Sequence, residues 1–320
     1  MKAAIVREAG TAPVYGDFAE PVAGPGEQRI AVTAAAISHV VKSRASGEHY
    51  SSGGQFPFVA GIDGVGRLDD GRRVYFVMPQ APFGSMAEVV VVPERQCVPL
   101  PDDLDDVTAA AIANPGMSSW AALVERAGLK PGETVLVNGA TGTSGRLAVQ
   151  IAKYLGAGKV IAAARDKAGL GEMAGLGADE TIALGDADLD RRLEQVFLQG
   201  VDVVIDYLWG ASAERALIAG ARAGEEARPI RFVQVGAASG QEIRLNSAVL
   251  RSSAITLMGS GIGSVPMRNL LGAIKGMLAA ARPAGFRIAV TLAPLSDVER
   301  AWAADDSRRR TVFAMGAKSP

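Results

Sequence analysis

The chain has 320 residues, of which 48% are hydrophobic, and its 33 Lys and Arg nearly balance its 34 Asp and Glu. This length allows about two domains, and the balanced charge argues against a nucleic-acid or membrane-surface partner. The single cysteine, Cys97, excludes an intramolecular disulfide and a cysteine-rich zinc site. The amino terminus does not fit a secretory signal, and no apolar run approaches the roughly 18 residues of a transmembrane helix. We therefore expect a cytoplasmic protein.

Residues 1–115 predict a β-rich domain, because short β-type runs separated by Gly and Pro clusters are typical of a barrel-like fold. The runs are Lys2–Arg7, Arg29–Ala34, Arg73–Val77 and Glu88–Val92. Two helical patterns follow, Asp105–Ala113 and Ser118–Ala127. The Asn114-Pro115-Gly116 sequence between them predicts a break in the helix.

From residue 134 onward, β and α patterns alternate. Six apolar runs with helical segments between them predict a doubly wound parallel sheet, and therefore an α/β protein. The runs are Thr134–Val137, Lys159–Ala164, Glu180–Leu184, Val201–Tyr207, Ile230–Gly236 and Ala254–Gly259. A long helical pattern, Met267–Ala281, follows, and the tail returns to strand, turn and helix signals.

The segment ETVLVNGATGTSGRLAVQIAK, residues 133–153, predicts a nucleotide-binding turn. A short apolar strand leads into Gly139, Gly142 and Gly145, and a helical pattern follows at once. Such glycines let the backbone approach a pyrophosphate, and the N–H groups of the first helical turn then bind its negative charge. The alternative is an ordinary strand-to-helix turn with glycines at the helix cap.

The end of the next strand, in KVIAAARDK, bears on the choice of cofactor. An NAD-selective fold places an acidic residue there to bind the ribose 2′-hydroxyl, but this position is Ala164, followed by Arg165 and then Lys167. Arginine can bind a 2′-phosphate with two parallel hydrogen bonds, so the sequence predicts NADP(H). Two alternatives stay open: Asp166 binds the ribose, or Arg165 is only a solvated residue at the helix entry.

The motifs ANPGMSSWAAL and LKPGETVLVNGATGTSG resemble the zinc-independent quinone oxidoreductase branch of the medium-chain dehydrogenase/reductase superfamily. The resemblance implies a GroES-like β-barrel catalytic domain, residues 1–115 completed by 283–320, and a Rossmann NADP(H)-binding domain, residues 116–282. It also implies a homodimer formed through the edge strand of the Rossmann sheet.

Zinc-dependent relatives carry a Cys, a His-Glu pair and a distant second Cys as the catalytic metal site. In this chain Ser38 stands near the first ligand place, and Ile62-Asp63 replaces the His-Glu pair. His39 and His49 lack a third soft partner, whereas a zinc site takes about four N, S or carboxylate ligands. We therefore expect no metal and interpret both histidines as surface or loop residues; the alternative, that they are metal ligands, stays open.

The resemblance also assigns site residues. It places Tyr50 at the border of the substrate cleft and Ser38 where relatives carry Asn, so these two are the catalytic candidates; packing of a loop ring is the alternative for Tyr50. Ser118 falls near the nicotinamide carboxamide, with a helix N-cap as its alternative. Leu184 replaces a tyrosine that helps relatives bind the 2′-phosphate. The predicted cofactor contacts are Ser118, Gly139, Gly142, Thr143, Ser144, Gly145, Arg165, Lys167 and Gly236.

Without a Lewis acid, hydride can still reach a carbon that conjugation has made electrophilic, as in a quinone or an enone. We therefore expect NADPH-dependent, metal-independent reduction of a quinone. One alternative is an enoyl or alkenal double-bond reductase, which uses the same hydride geometry. Another is a non-catalytic NADPH-binding sensor or structural protein, since fold alone does not fix function.

Overall fold

The computed structural model of the protein describes residues 1–47, 55–223, 226–306 and 308–315. The chain divides into two compact units, one formed by Met1–Asn114 with Ile274–Pro320 and the other by Pro115–Ala273. The sequence places the domain boundaries after residues 115 and 282. The assignment of the two units to catalysis and to cofactor binding stays a prediction.

The elements alternate in type much as the periodicities indicate. Up to residue 121 they are β1 (Lys2–Val6), β2 (Val14–Asp17), β3 (Glu27–Ala36), α1 (His39–Ser46), β4 (Phe58–Val59), β5 (Asp63–Leu68), β6 (Arg73–Val77), β7 (Val89–Pro93), β8 (Cys97–Pro99) and α2 (Asp106–Ala121). A π-helical turn, Ala122–Arg126, extends α2. The next are β9 (Thr134–Asn138), α3 (Thr143–Tyr154), β10 (Lys159–Ala164), α4 (Lys167–Gly171), β11 (Glu180–Ala183), α5 (Leu189–Gln199), β12 (Val203–Asp206), α6 (Gly210–Ala223), β13 (Pro229–Gln234), α7 (Ser247–Arg251) and β14 (Ala254–Gly259). The last are α8 (Met267–Ala281), β15 (Val290–Pro294), α9 (Val298–Ala304) and β16 (Arg310–Ala314). Within the described ranges, no helix is long and apolar enough to cross a membrane.

The first unit is rich in β-structure. A three-stranded sheet has the order β2-β1-β4, and a seven-stranded sheet has the order β15-β16-β3-β5-β6-β8, with β7 also paired to β3. Strand β16 runs antiparallel to β3, with Val312 opposite Ala36, so the carboxy-terminal residues complete this sheet. Phe76 and Phe313, neither of which is exposed, belong to two separate hydrophobic clusters of this unit. This separate β-rich domain is consistent with the predicted GroES-like barrel.

The second unit is built on a parallel six-stranded sheet of order β11-β10-β9-β12-β13-β14. Its central strands β9 and β12 consist mainly of buried apolar residues, as expected for strands covered by helices on both faces, and each ends in a buried polar residue, Asn138 or Asp206. The strand order reverses between β9 and β12, which opens a crevice at their carboxyl ends where such folds bind ligands. The predicted α/β class with a doubly wound parallel sheet is therefore confirmed.

The predicted break at Asn114-Pro115-Gly116 is wrong. Helix α2 is continuous through Pro115, although an internal proline costs about 3 kcal/mol. The preceding residues 109–113 are at most 1% exposed, and burial of this apolar turn favours the helix. The Pro115 carbonyl accepts hydrogen bonds from the hydroxyls of Ser118 (2.8 Å) and Ser119 (3.0 Å). Because Ser118 lies inside the helix, the N-cap interpretation of this residue is also wrong.

Candidate functional site

The glycine turn between β9 and α3 forms a cradle at the start of the helix. Gly139 has φ +93°, a conformation that favours glycine. A Cβ at position 145 would lie 2.2 Å from the Gly139 carbonyl oxygen, so the first turn of α3 can pack here only without a side chain. Gly142 is the N-cap and, having no side chain, makes no cap hydrogen bond to the first turn of the helix. The N–H groups of Thr143 and Ser144 therefore begin a bare helix N-terminus, which suits a phosphate group.

A cluster of hydroxyls lies beside this turn. The Ser119 hydroxyl is 2.7 Å from the Tyr207 hydroxyl and 3.1 Å from the Ser144 carbonyl oxygen. The Ser118 hydroxyl also interacts with Tyr207, whose pKa is raised by burial. The structure thus brings the predicted contacts Ser118 and Ser144 together through two residues that the sequence analysis missed, Ser119 and Tyr207. Tyr207 directly follows β12, and its position at a strand end was the available signal.

A second polar pair lies at the crevice itself. The Asn138 side-chain amide donates a 2.7 Å hydrogen bond to the Asp206 carboxylate, which also accepts from the backbone N–H groups of Leu208 and Trp209. These contacts hold Trp209 at φ +57°, which is unusual for a large side chain. Gly236 donates its N–H to the Asp206 carbonyl oxygen at 3.1 Å. The predicted contact Gly236 therefore lies at the same end of the sheet as the glycine turn.

Two basic residues, Arg165 and Lys167, follow β10, and they differ in whether they form an ion pair. Arg165 is exposed, and within the described ranges its side chain forms no hydrogen bond or ion pair. Lys167 forms a 2.7 Å ion pair with Asp186, which raises the pKa of Lys167. A Cβ at Gly169 would lie 2.9 Å from both Asp166 Oδ2 and the Thr141 side chain. The Asp166 carboxylate is therefore beside the glycine turn, so the ribose alternative keeps a physical basis.

Of the two predicted catalytic residues, Ser38 is described by the structure and belongs to the first unit. Ser38 is the N-cap of α1, its oxygen accepts a 3.2 Å hydrogen bond from the Val41 N–H, and it is 4% exposed. This contact uses the hydroxyl oxygen as an acceptor and leaves its O–H available as a donor. Tyr50 and His49 lie outside the described residues.

Asp63, at the place of the zinc relatives' His-Glu pair, is 2% exposed and belongs to a buried polar network. Its carboxylate accepts hydrogen bonds from the Tyr75 hydroxyl at 2.7 Å and the Asn114 amide at 3.5 Å. Burial raises the pKa of Asp63, and the nearby Arg310 guanidinium opposes that rise. Arg310 is itself 6% exposed, and its Nε and Nη2 have no partner within the described residues. The Asp63 carboxylate is thus already hydrogen-bonded to other residues of the first unit.

The described ranges contain no group of three or more His, Cys, Asp and Glu side chains that could hold a metal ion. His39 is exposed at the start of α1. Cys97 is half-buried, and burial raises the pKa of its thiol to about 11, so a thiolate ligand would be costly there. The described His, Cys, Asp and Glu side chains, His39 and Cys97 included, therefore form no preformed metal site.

The doubly wound sheet and the glycine turn beside its crevice define a Rossmann-type α/β protein. The family model described as zinc-binding dehydrogenase matches residues 145–276. A protein named "Probable NADPH-dependent quinone reductase tdiC", from Emericella nidulans, is 31% identical over 339 aligned positions, which cover 92% of this chain and 94% of that protein. The chain belongs to the quinone oxidoreductase branch of the medium-chain dehydrogenase/reductase superfamily.

Two further relatives extend the comparison. The solved quinone oxidoreductase of Thermus thermophilus, also determined in complex with NADPH, has a TM-score of 0.81 and 28% identity, covering 98% of this chain and 100% of that chain. Prostaglandin reductase-3 of Bos taurus is 30% identical over 238 residues, which are 69% of this chain and 59% of that protein. The zinc-binding dehydrogenase match begins at residue 145, beyond the Ile62-Asp63 stretch, so it carries no information on metal ligands.

Proposed function

We propose that this protein is an NADPH-dependent, metal-independent oxidoreductase that transfers hydride to a quinone. The observation that carries the proposal is the bare glycine turn at the start of α3, with the exposed Arg165 guanidinium at the end of the neighbouring strand β10. The turn would bind the pyrophosphate, and Arg165 the 2′-phosphate. The names of the Emericella nidulans and Thermus thermophilus relatives support the choice of NADPH.

Other residues of the second unit would bind the rest of the cofactor. The backbone of Thr143, Ser144 and Gly145 would contact the phosphates at the helix N-terminus. Ser118 and Gly236 would contact the nicotinamide end, because they lie near Tyr207 and the end of β12. Ser119 and Tyr207 would position Ser118 and the first turn of α3 through their hydrogen bonds.

The bound cofactor would supply a hydride from the nicotinamide ring. The chain would supply orientation and a hydrogen bond to the oxygen that gains negative charge. We assign the orienting contact to Tyr50 and a supporting donor to Ser38, whose O–H is not used by its N-cap contact. A quinone carbon is already electrophilic, so this transfer needs no Lewis acid. The engagement of Asp63 with Tyr75 and Asn114 supports metal independence.

Reduction of an enone double bond is the second candidate. The 30% identity to prostaglandin reductase-3 favours it, and the hydride geometry that it requires is the same. The two activities differ in the acceptor pocket, whose shape sets the relative kcat/KM values.

The deciding experiment is NADPH oxidation with a panel of quinones and enones, before and after prolonged treatment with a chelator. We expect quinones to give the highest kcat/KM, activity to survive chelation, and metal content to be well below one zinc per chain. Higher kcat/KM for enones would establish the second candidate. Binding of NADPH without turnover of any acceptor would instead identify a non-catalytic NADPH-binding protein.

We also propose a homodimer that pairs through β14. This strand is an edge of the six-stranded sheet, and its residues are half-buried or exposed. An unpaired edge offers a row of backbone donors and acceptors to a second strand. Light scattering of the purified protein should give twice the chain mass of 33.0 kDa, and a monomer would overturn this assignment.

A further inference from the structure

An ion pair lies at the predicted 2′-phosphate site. Lys167, in the first turn of α4, places its Nζ 2.7 Å from Asp186 Oδ1. The side chains are 72% and 42% exposed, so both face solvent. Asp186 lies in the turn after β11, where its N–H donates to the Ala183 carbonyl oxygen. The positive charge of Lys167 is therefore already compensated before any phosphate binds.

The strand register explains why a residue after β11 reaches this place. Strands β10 and β11 are parallel neighbours, and their last residues, Ala164 and Ala183, are paired. The Leu184 N–H donates a 2.8 Å hydrogen bond to the Ala164 carbonyl oxygen, which extends the pairing past the strand end. The turn that carries Asp186 therefore lies at the same carboxyl end of the sheet as Arg165 and Lys167.

Arg165 and Lys167 differ in their availability for a phosphate. Arg165 has no ion pair with any of the described residues, whereas Lys167 has Asp186. A 2′-phosphate brings close to two negative charges. It would be attracted by Arg165, repelled by the Asp186 carboxylate, and would have to compete with that carboxylate for Lys167.

We propose that Asp186 is a specificity-determining residue that weakens the preference for NADPH over NADH by occupying Lys167 and adding a negative charge beside the 2′-phosphate. The inference rests on the proposed function, because it assumes that the adenosine ribose binds at the carboxyl ends of β10 and β11. This proposal predicts a gain in affinity when the Asp186 charge is removed. Nucleotides that carry a 2′-phosphate should bind more tightly, and the affinity for other nucleotides should stay unchanged.

The test is Asp186→Asn, with binding measured by titration calorimetry for NADPH, NADH and 2′,5′-ADP. We expect Kd for NADPH and 2′,5′-ADP to fall about three- to tenfold, the scale of one charge interaction several ångströms away in water. Kd for NADH should stay within about twofold. The gain should shrink as salt is raised, because exposed charges are screened.

The matched control is Asp190→Asn. It removes the same charge from an exposed aspartate that pairs with Arg215 rather than with Lys167. It should leave all three Kd values within about twofold, and both variants should keep the parent Tm within a few degrees, since exposed ion pairs add little stability. Lys167→Met added to Asp186→Asn should remove most of the gain, because the freed ammonium is then absent.

The outcomes separate this inference from the function on which it rests. A parent protein that fails to bind NADPH and 2′,5′-ADP overturns the proposed function. A parent that binds both, with Asp186→Asn indistinguishable from Asp190→Asn, overturns the role of Asp186 alone. Equal gains for NADPH and NADH would also overturn it, because the effect would then be independent of the 2′-phosphate.

Discussion

The Tyr75 hydroxyl donates a 2.7 Å hydrogen bond to the Asp63 carboxylate, and the two residues are only 1% and 2% exposed. The pair stabilises a buried carboxyl group in the β-rich unit, with Asn114 and Arg310 as its other polar neighbours. Burial also raises the pKa of Tyr75 well above its ordinary value, so the phenol remains a donor. In this protein, the residue at the zinc relatives' His-Glu place is therefore part of the domain interior.

Tyr75→Phe should lower the free energy of unfolding by about 1.5–3 kcal/mol, the range for a hydrogen bond to a charged group. The substitution keeps the ring and leaves one oxygen of a buried carboxylate without its donor. Urea unfolding at neutral pH measures the loss. Tyr15→Phe is the control, since Tyr15 is 37% exposed and its change should stay within about 0.5 kcal/mol. Equal losses of unfolding free energy in the two variants would show that the buried Tyr75–Asp63 hydrogen bond adds no stability of its own.

Asp63→Asn should change the pH dependence of stability in a defined direction. Because the pKa of Asp63 in the folded protein lies above the ordinary 3.8, the native state binds this proton more tightly than the unfolded chain. The parent therefore loses stability as pH rises from about 3.8 through the folded-state pKa. Asparagine does not titrate, so the unfolding free energy of the variant minus that of the parent should increase with pH. Unfolding midpoints at pH 4, 5.5 and 7 measure this difference; a decrease with pH would show that the folded-state pKa is depressed.

Gly145→Ala should damage both folding and cofactor binding. Its Cβ would lie 2.2 Å from the Gly139 carbonyl oxygen and 2.7 Å from the Ala140 Cα, so the backbone of the turn must move. We expect a loss of about 1–3 kcal/mol in stability, as for overpacking, and at least a tenfold weaker affinity for NADPH. Gly171→Ala is the control, because a Cβ there meets nothing within 4 Å; it should alter stability by no more than about 1 kcal/mol. Normal NADPH binding by Gly145→Ala would place the pyrophosphate elsewhere.

Arg165→Ala should weaken NADPH binding by about 1.5–3 kcal/mol, the range for a charge-assisted hydrogen bond, and leave NADH nearly unchanged. The reason is the 2′-phosphate, which only NADPH carries. Arg251→Ala, an exposed arginine at the end of α7, is the matched control for loss of charge. Equal losses for the two cofactors, or tighter NADH binding in the parent, would favour Asp166 as the ribose ligand.

Tyr50→Phe tests whether hydride delivery needs a proton donor. If Tyr50 only orients the acceptor, loss of its hydroxyl should cost about 0.5–1.5 kcal/mol of transition-state stabilisation, or roughly two- to tenfold in kcat/KM. An obligatory general acid would give a fall of about 10²–10⁴-fold and a changed pH profile. Measurement of kcat/KM against pH with one good quinone distinguishes the two, and a hundredfold fall would refute the orienting role.

Features that depend only on neighbouring residues could be predicted from the sequence. The alternating apolar runs predict the parallel sheet, because strand and helix periodicities are local properties of the chain. The glycine turn at residues 139–145 could be recognised because its strand, its glycines and its helix are contiguous. Arg165 was identified by its position after β10, which also follows from the order of residues alone.

Contacts between residues that are distant in the chain could not be predicted in this way, because they depend on how the elements pack. Ser119, on α2, and Tyr207, after β12, are separated by 88 positions, and only long-range packing brings their hydroxyls within 2.7 Å of each other. The Lys167–Asp186 ion pair depends in the same way on the register of β10 and β11. The continuity of α2 through Pro115 was also decided by burial, which outweighed a local signal for a break. Sequence patterns indicate which residues prefer each element, but long-range packing determines which side chains meet, because that depends on the free energy of the whole fold.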